Sequence, residues 1–200
     1  MPVNCPHCQA ENPVGESVCF ECGRALAAIT KGSLLAERFQ VLEVLGRGGM
    51  GVVYKAHDQL LDELVAIKVL KPELLAEPEA ARRFRNEIKL ARRVSHPNVC
   101  RIHEYGRHGD LNYISMAFVD GQDLRQRLAA FPAGLPAEEA FDVAAQAARG
   151  LQAIHDAGVI HRDFKTPNIM REPDGSVRLM DFGIAKESAA AAGQGLTGTG

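Results

Sequence analysis

The sequence predicts an α+β protein of two lobes, preceded by a small cysteine-rich module. Two C-x-x-C pairs stand within the first 22 residues, in a segment rich in Pro, Asn and Gly that lacks apolar periodicity. From residue 37 onward, strand-like alternation is broken by one helical pattern, and a long helical pattern follows. Strands first, one inserted helix, then a helical part is the order of an α+β arrangement. The divisions read as a metal-binding ribbon over 1–25, a linker over 26–36 and one larger domain over 37–200.

The larger domain opens with RFQVLEVL, GVVYKAHD and LVAIKVL, three alternating strand patterns, the second and third joined by a turn at Gln59 to Asp62. PEAARRFRNEIKLARRV repeats Phe84, Ile88, Ala91 and Val94 at helical spacing. RIHEYGRH and LNYISMAF read as a hairpin turning at Gly109-Asp110. PAEEAFDVAAQAARGLQAIHDAG starts at Pro136 and stops at Gly158, and Phe141, Ala144, Ala148, Leu151 and Ile154 are its expected buried side.

Composition narrows the function. The 200 residues are 46% hydrophobic and 24% charged, enough apolar matter for a sizeable core. A net charge of −2 gives no global attraction to nucleic acid or an anionic membrane. No apolar run approaches the roughly 18–20 residues of a membrane span. The N-terminus has no basic start followed by an apolar stretch, so no secretory leader is expected and the chain reads as cytoplasmic.

In that setting Cys5, Cys8, Cys19 and Cys22 favour a metal over disulfides. Each C-x-x-C turn brings two thiolates to one tetrahedral ion, and four sulfurs close a structural zinc site with no open position. Such a module is too small to hold itself together by apolar burial alone. His7 reads as a bystander, and Gln9 stands where the second pair has Gly23. A redox pair is the competing explanation.

Gly46, Gly48 and Gly51 form G-x-G-x-x-G, a weak signal in isolation. A dinucleotide fold places a helix directly after these glycines, whereas here VVYKAHD alternates as a strand. A strand–turn–strand flap follows, whose glycines let backbone approach phosphates closely. Lys68 stands inside an apolar strand, where a lone cation is costly without an anionic partner. Glu87 on the inserted helix is the expected partner, although it could instead belong to a solvated face.

HRDFKTPNIM (161–170) and LMDFGIAK (179–186) then bring the ordered set of motifs to a resemblance. From about Phe39 to Gly200 the chain resembles the eukaryotic-like protein kinases, in particular the bacterial serine/threonine branch. That resemblance implies a two-lobed protein-kinase-like fold and transfer of the ATP γ-phosphoryl group to Ser/Thr hydroxyls of protein substrates, with autophosphorylation of the activation loop. It implies Asp163 as catalytic base, Lys165 beside the transferred group, and a Lys68–Glu87 ion pair facing the phosphates. Asn168 and Asp181 would hold Mg²⁺, and hard oxygen donors suit that ion. Met116 would stand at the gate of the adenine site, Ala117 and Val119 would offer backbone groups, and Val53, Ala66 and Met170 would sandwich the ring. Phe182 would pack near His161, and Arg162 would pair with a loop phosphorylated at Thr197 or Thr199.

Phe164, Thr166 and Ala117 depart from the usual family residues without removing a ligand. After Gly200 the expected substrate loop and Ala-Pro-Glu anchor do not follow, so the larger lobe is expected to be incomplete, with exposed apolar surface and poor or no phosphorylation by these residues alone. Two other readings compete: an ATP-binding or scaffolding module without catalysis, and an interaction protein whose zinc ribbon recruits a partner.

Overall fold

The computed structural model describes residues 3–4, 8–13, 19–22 and 29–182. It divides into two compact units, Met1–Glu73 with His103–Phe118, and Leu74–Ile102 with Val119–Gly200.

The first unit is built on a six-stranded sheet. Its strands are β3 (Leu34–Leu35), β4 (Phe39–Gly48), β5 (Gly51–Asp58), β6 (Glu63–Leu70), β7 (Ile102–His108) and β8 (Leu111–Ala117), in the order β3-β4-β5-β6-β8-β7. Pairing is antiparallel from β3 through β6 to β8. Two short strands, β1 (Val3–Asn4) and β2 (Glu11–Asn12), form a separate antiparallel ribbon. The expected strands and their turns at 59–62 and 109–110 are all present.

The register sorts the sheet into two faces, because side chains alternate along a strand while directly paired residues share a side. Tyr54, Ala56, Val65, Ile67, Val69 and Tyr113 join Leu35, Phe39 and Val41 in one packed core. Phe39 meets Tyr113 edge to face, with ring centroids 5.7 Å apart. At its rim, Asp58 is only 1% exposed and takes two charge-assisted bonds from Arg38, at 2.8 and 2.6 Å. The Arg38 guanidinium therefore holds the Asp58 carboxyl below its ordinary range.

The second unit contains α1 (Pro78–Ala91), α2 (Leu124–Ala129) and α3 (Ala137–Asp156). It also carries a three-stranded sheet, in the order β11 (Val177–Leu179), β10 (Ile169–Arg171), β9 (Gln122–Asp123). Pro78 opens α1, where a missing N–H costs nothing, and Ala81, Phe84, Ile88 and Ala91 are buried, as the periodicity requires. Asp123 caps α2 by accepting from the Gln126 N–H at 2.8 Å.

The buried side of α3 departs from expectation. Val143, Ala147, Gly150 and Ile154 are buried, whereas Phe141 is 77% exposed and Ala144 and Ala148 are also exposed. Of the expected set, only Ile154 is buried. The helix is apolar on two sides, so periodicity identified a helix without deciding which side is covered. Gly150 decides it: a Cβ there would lie 2.6 Å from the Asn98 carbonyl oxygen and 3.0 Å from Leu179 Cδ1, so this side makes the close approach. Ala140, Ala144, Ala148 and Leu151, with Val143 and Ala147 at the edge of the buried side, line an open groove of about 420 Å³ with Leu124, Phe164 and Ile169.

Ile154→Ala is expected to cost about 2–5 kcal/mol in denaturant unfolding. Phe141→Ser should change stability by less than about 0.5 kcal/mol, as at an exposed position. The reverse order would place the core on the other side of α3. For Asp58, whose folded-state pKa is depressed, the stabilisation is present above the unfolded value of about 4 and lost as pH falls through the folded value. Asp58→Asn should therefore lower the melting temperature above about pH 5 and flatten its fall on the acid side of the profile.

Candidate functional site

In the first unit, the sheet face opposite the core carries the expected nucleotide-binding side chains. Lys68 pairs in register with Val53 on one side and Ile114 on the other, and Ala66 pairs with Lys55 and Met116. Val53, Ala66, Lys68 and Met116 thus share one face. Lys68 is 4% exposed, and its Nζ lies 4.0 Å from Met50 Sδ. Met50 stands in the two-residue turn between β4 and β5, with Gly48 and Gly51 forming the closing pair.

The three glycines differ in kind. A Cβ at Gly46 or Gly48 would meet open space. At Gly51 it would fall 1.9 Å from the Val69 carbonyl oxygen, on a backbone with φ +154°, so only glycine fits there. β8 ends at Ala117, whose Cα pairs with Val65.

In the second unit, the segment 161–168 winds around Asn168. Its side-chain nitrogen donates to the Asp163 carbonyl oxygen at 2.8 Å and to Asp163 Oδ2 at 3.0 Å. The Asn168 N–H donates to the Lys165 carbonyl at 2.9 Å, and the Met180 N–H donates to the Asn168 carbonyl at 2.8 Å. That last bond ties the loop to the residue before Asp181. Lys165 Nζ lies 2.8 Å from Asp163 Oδ2. With its nitrogen committed to Asp163, Asn168 has Oδ1 to offer a cation. Hard oxygens from Asn168 and Asp181 are donors of the kind Mg²⁺ selects. Met170 lies on β10, paired with Arg178 and Asp123, and Val119 is buried.

Two non-glycine residues here have a left-handed backbone, Arg162 at φ 60° and Asp181 at φ 53°. Such conformations cost energy and gather at functional sites. His161 is 2% exposed, edge-on to Phe164 at 5.7 Å and tilted against Phe182 at 6.4 Å. Burial pushes its pKa down, so the ring is a neutral packing residue, in line with its expected place beside Phe182.

Glu87 Oε1 accepts from Arg162 Nη1 at 2.5 Å. Glu87 was expected to face Lys68, and Arg162 a phosphorylated loop. Lys68 belongs to the first unit, and Thr197 and Thr199 lie outside the described residues. The Glu87–Arg162 pair was illegible in the sequence, since 75 positions separate two ordinary surface-type charges. The α2 cap was more accessible: Asp123-Leu-Arg-Gln126 is a capping pattern. The sequence carries no local signal for Asn98, whose side-chain nitrogen bonds Gln146 and the Val177 carbonyl, both at 2.9 Å.

The cysteine module gathers Cys8, Cys19 and Cys22, whose sulfur atoms all lie within 4.8 Å of one another. Cys8 and Cys19 are 3.5 Å apart. Backbone N–H groups of Cys22 and Glu21 help bring the Cys19 thiol down to about 6, which favours the thiolate that a metal requires. Asn12, 2% exposed, braces the second knuckle by accepting from the Phe20 N–H at 2.9 Å. Gln9 takes the left-handed turn at φ 64° without glycine. Cys5 lies outside the described residues, as do His7 and Gly23.

Comparison with known proteins gives the arrangement its family. Residues 39–199 match the family described as Protein kinase domain. The chain is 39% identical over 155 residues to the probable serine/threonine-protein kinase CPE1738 of Clostridium perfringens, covering 78% of this chain and 22% of that protein. It is 43% identical over 156 residues to the serine/threonine-protein kinase pkn2 of Myxococcus xanthus, covering 76% and 19%. It is 38% identical over 165 residues to PknA of Mycobacterium tuberculosis, covering 80% and 38%. The chain thus spans well under half of these relatives. The crystal structure of the PknI kinase domain of M. tuberculosis superposes with a TM-score of 0.72 at 34% identity, covering 80% of this chain and 63% of that one. With its motif residues standing on the flap, strands and loop just described, the chain belongs to the protein kinase family.

Proposed function

We propose that this chain carries the phosphoryl-transfer site of a serine/threonine protein kinase, acting in the cytoplasm on protein hydroxyls. The observation that carries the reading is the Asn168 side chain bonded twice to Asp163, with Lys165 on the same carboxylate. One short loop thereby holds a carboxylate, an ammonium and an amide in fixed relation. ATP with Mg²⁺ supplies the phosphoryl group and the charge neutralisation that its transfer needs.

In this proposal Asp163 accepts the proton of the substrate Ser or Thr hydroxyl and orients its oxygen. Lys165, 2.8 Å from that carboxylate, offers its charge where negative charge develops. Asn168 and Asp181 hold the metal. Lys68 faces the phosphates, and the glycine flap leaves backbone N–H groups approachable. Val53, Ala66 and Met116 supply apolar contacts to adenine, and Ala117 a backbone contact. Autophosphorylation at Thr197 or Thr199 belongs to the same proposal.

For the N-terminal module we propose structural zinc on Cys5, Cys8, Cys19 and Cys22, supported by the tight sulfur cluster and the lowered Cys19 thiol. A protein partner on this ribbon is part of the proposal.

A second reading is favoured by a specific observation. Glu87 is held by Arg162, and one apolar side of α3 lines an open groove, features that suit a nucleotide-binding module poor in transfer.

Two measurements on the 200-residue chain separate these readings. The first is Mg²⁺-dependent binding of a fluorescent ATP analogue, and the second is transfer of labelled phosphate to a Ser/Thr peptide library. Transfer that falls by at least about 100-fold in Asp163→Ala supports catalysis. Magnesium-dependent binding that is weakened by Lys68→Ala, with no transfer, supports the second reading. Absence of such binding overturns both. For the ribbon, elemental analysis should find one zinc per chain, lost in Cys19→Ser. Chelation should leave the main melting transition in place, because Cys19 packs with Ala10 in a cluster separate from the sheet core.

A further inference from the structure

The outward side of α1 is not an ordinary solvated helix face. Between Pro78 and Val94 the sequence has six basic residues, Arg82, Arg83, Arg85, Lys89, Arg92 and Arg93, against two acidic ones, Glu79 and Glu87. Glu87 is taken by Arg162, and Glu79 lies 3.9 Å from Arg82 and 3.6 Å from Arg83. Among the described residues, Arg85, Lys89, Arg92 and Arg93 have no carboxylate within ion-pair distance.

Their placement is regular. At about 100° per residue, positions 82, 85, 89 and the C-cap 92 fall within roughly one third of the helix circumference, and Arg93 follows in the turn after it. All five are exposed. The stripe from Arg82 to Arg92 runs about 15 Å along the axis at 1.5 Å per residue. Exposed helices ordinarily intersperse opposite charges three and four residues apart, which stabilises them; like charges at those spacings destabilise by similar amounts. Here 82–85, 85–89, 89–92 and 89–93 are all like-charged pairs, in a chain whose net charge is −2.

We propose that this stripe is a docking surface for an acidic segment of a partner protein. An extended chain with a carboxylate at every second residue repeats about every 6.6 Å. That is close to one helical turn of about 5.4 Å, so a short segment can meet the whole stripe. Two features favour such a segment over other polyanions. The exposed carboxylate of Glu77 stands just before α1, where it would repel a nucleic-acid backbone continuing along the helix. A membrane-lying helix needs a broad apolar face at the surface, but the apolar side of α1 is buried and Leu90, 38% exposed, stands apart.

The test is fluorescence anisotropy with a labelled peptide of about twelve residues alternating Glu and Ala, at about 50 mM and about 200 mM salt. The whole chain is compared with Arg85→Glu/Lys89→Glu/Arg92→Glu. The control, Lys31→Glu/Arg101→Glu/Arg149→Glu, makes the same charge change at other exposed positions. Affinity should fall at least about tenfold in the helix variant, equivalent to ~1.4 kcal/mol, and less than about twofold in the control. It should also weaken with salt. If charge reversal unfolds α1, Arg85→Ala/Lys89→Ala keeps a strong helix former and should still lose several-fold. No binding at the lower salt, or an equal loss in the control, overturns the proposal. So does stripe-dependent binding that is tighter to a short DNA duplex or to anionic-lipid vesicles than to the peptide.

Discussion

Period-two alternation in the central strands is the constraint on which the first unit depends. β5, β6 and β8 are paired without interruption from Val53↔Lys68↔Ile114 to Val65↔Ala117. Every second residue enters the core with Ile67 and Tyr54, and every residue between belongs to the other face with Lys68 and Ala66. A lysine buried among apolar strands is costly without an anionic partner, which marks that face as the candidate site. Core and site are two sides of one register, so neither can shift without the other.

The second unit places its functional groups by a different device. Its polar residues sit on a loop with little regular structure, where side-chain bonds replace ladder bonds. Asn168, 8% exposed, has its side chain on Asp163, and its backbone N–H and carbonyl join Lys165 to Met180. Arg162 and Asp181 accept left-handed backbone at the two ends of this arrangement. Side chains pointing to a common place are obtained at the expense of local conformational energy, which the packing of His161 against Phe164 and Phe182 helps to offset.

Most of this was legible in the sequence, for reasons that differ by element. The strands of the first unit could be read because alternation of period two is a local property, and the motif residues because their order and spacing are local too. The buried side of α3 could not, since Phe141 and Val143 are equally apolar and only the approach at Gly150 distinguishes their faces. The partner of Glu87 was hidden for a related reason: a helix bristling with charges gives no hint of which one turns toward a distant arginine. The cysteine pairs were legible as sulfurs that could gather, and among the described residues Cys8, Cys19 and Cys22 do cluster, with Gln9 in a left-handed turn beside Cys8.

The register of β6 also sets which kinds of mutation this protein can tolerate. Losing or gaining one codon within Glu63–Leu70 would carry Lys68 into the space of Ile67 and turn the core outward along the rest of the strand. A substitution disturbs one side chain, whereas such a frame-preserving length change exchanges two whole surfaces. The tight turns at 59–62 and 109–110 can absorb length variation that the strands cannot. Across diverging copies of this gene, insertions and deletions should therefore collect in the turns, while the strands change only by replacement.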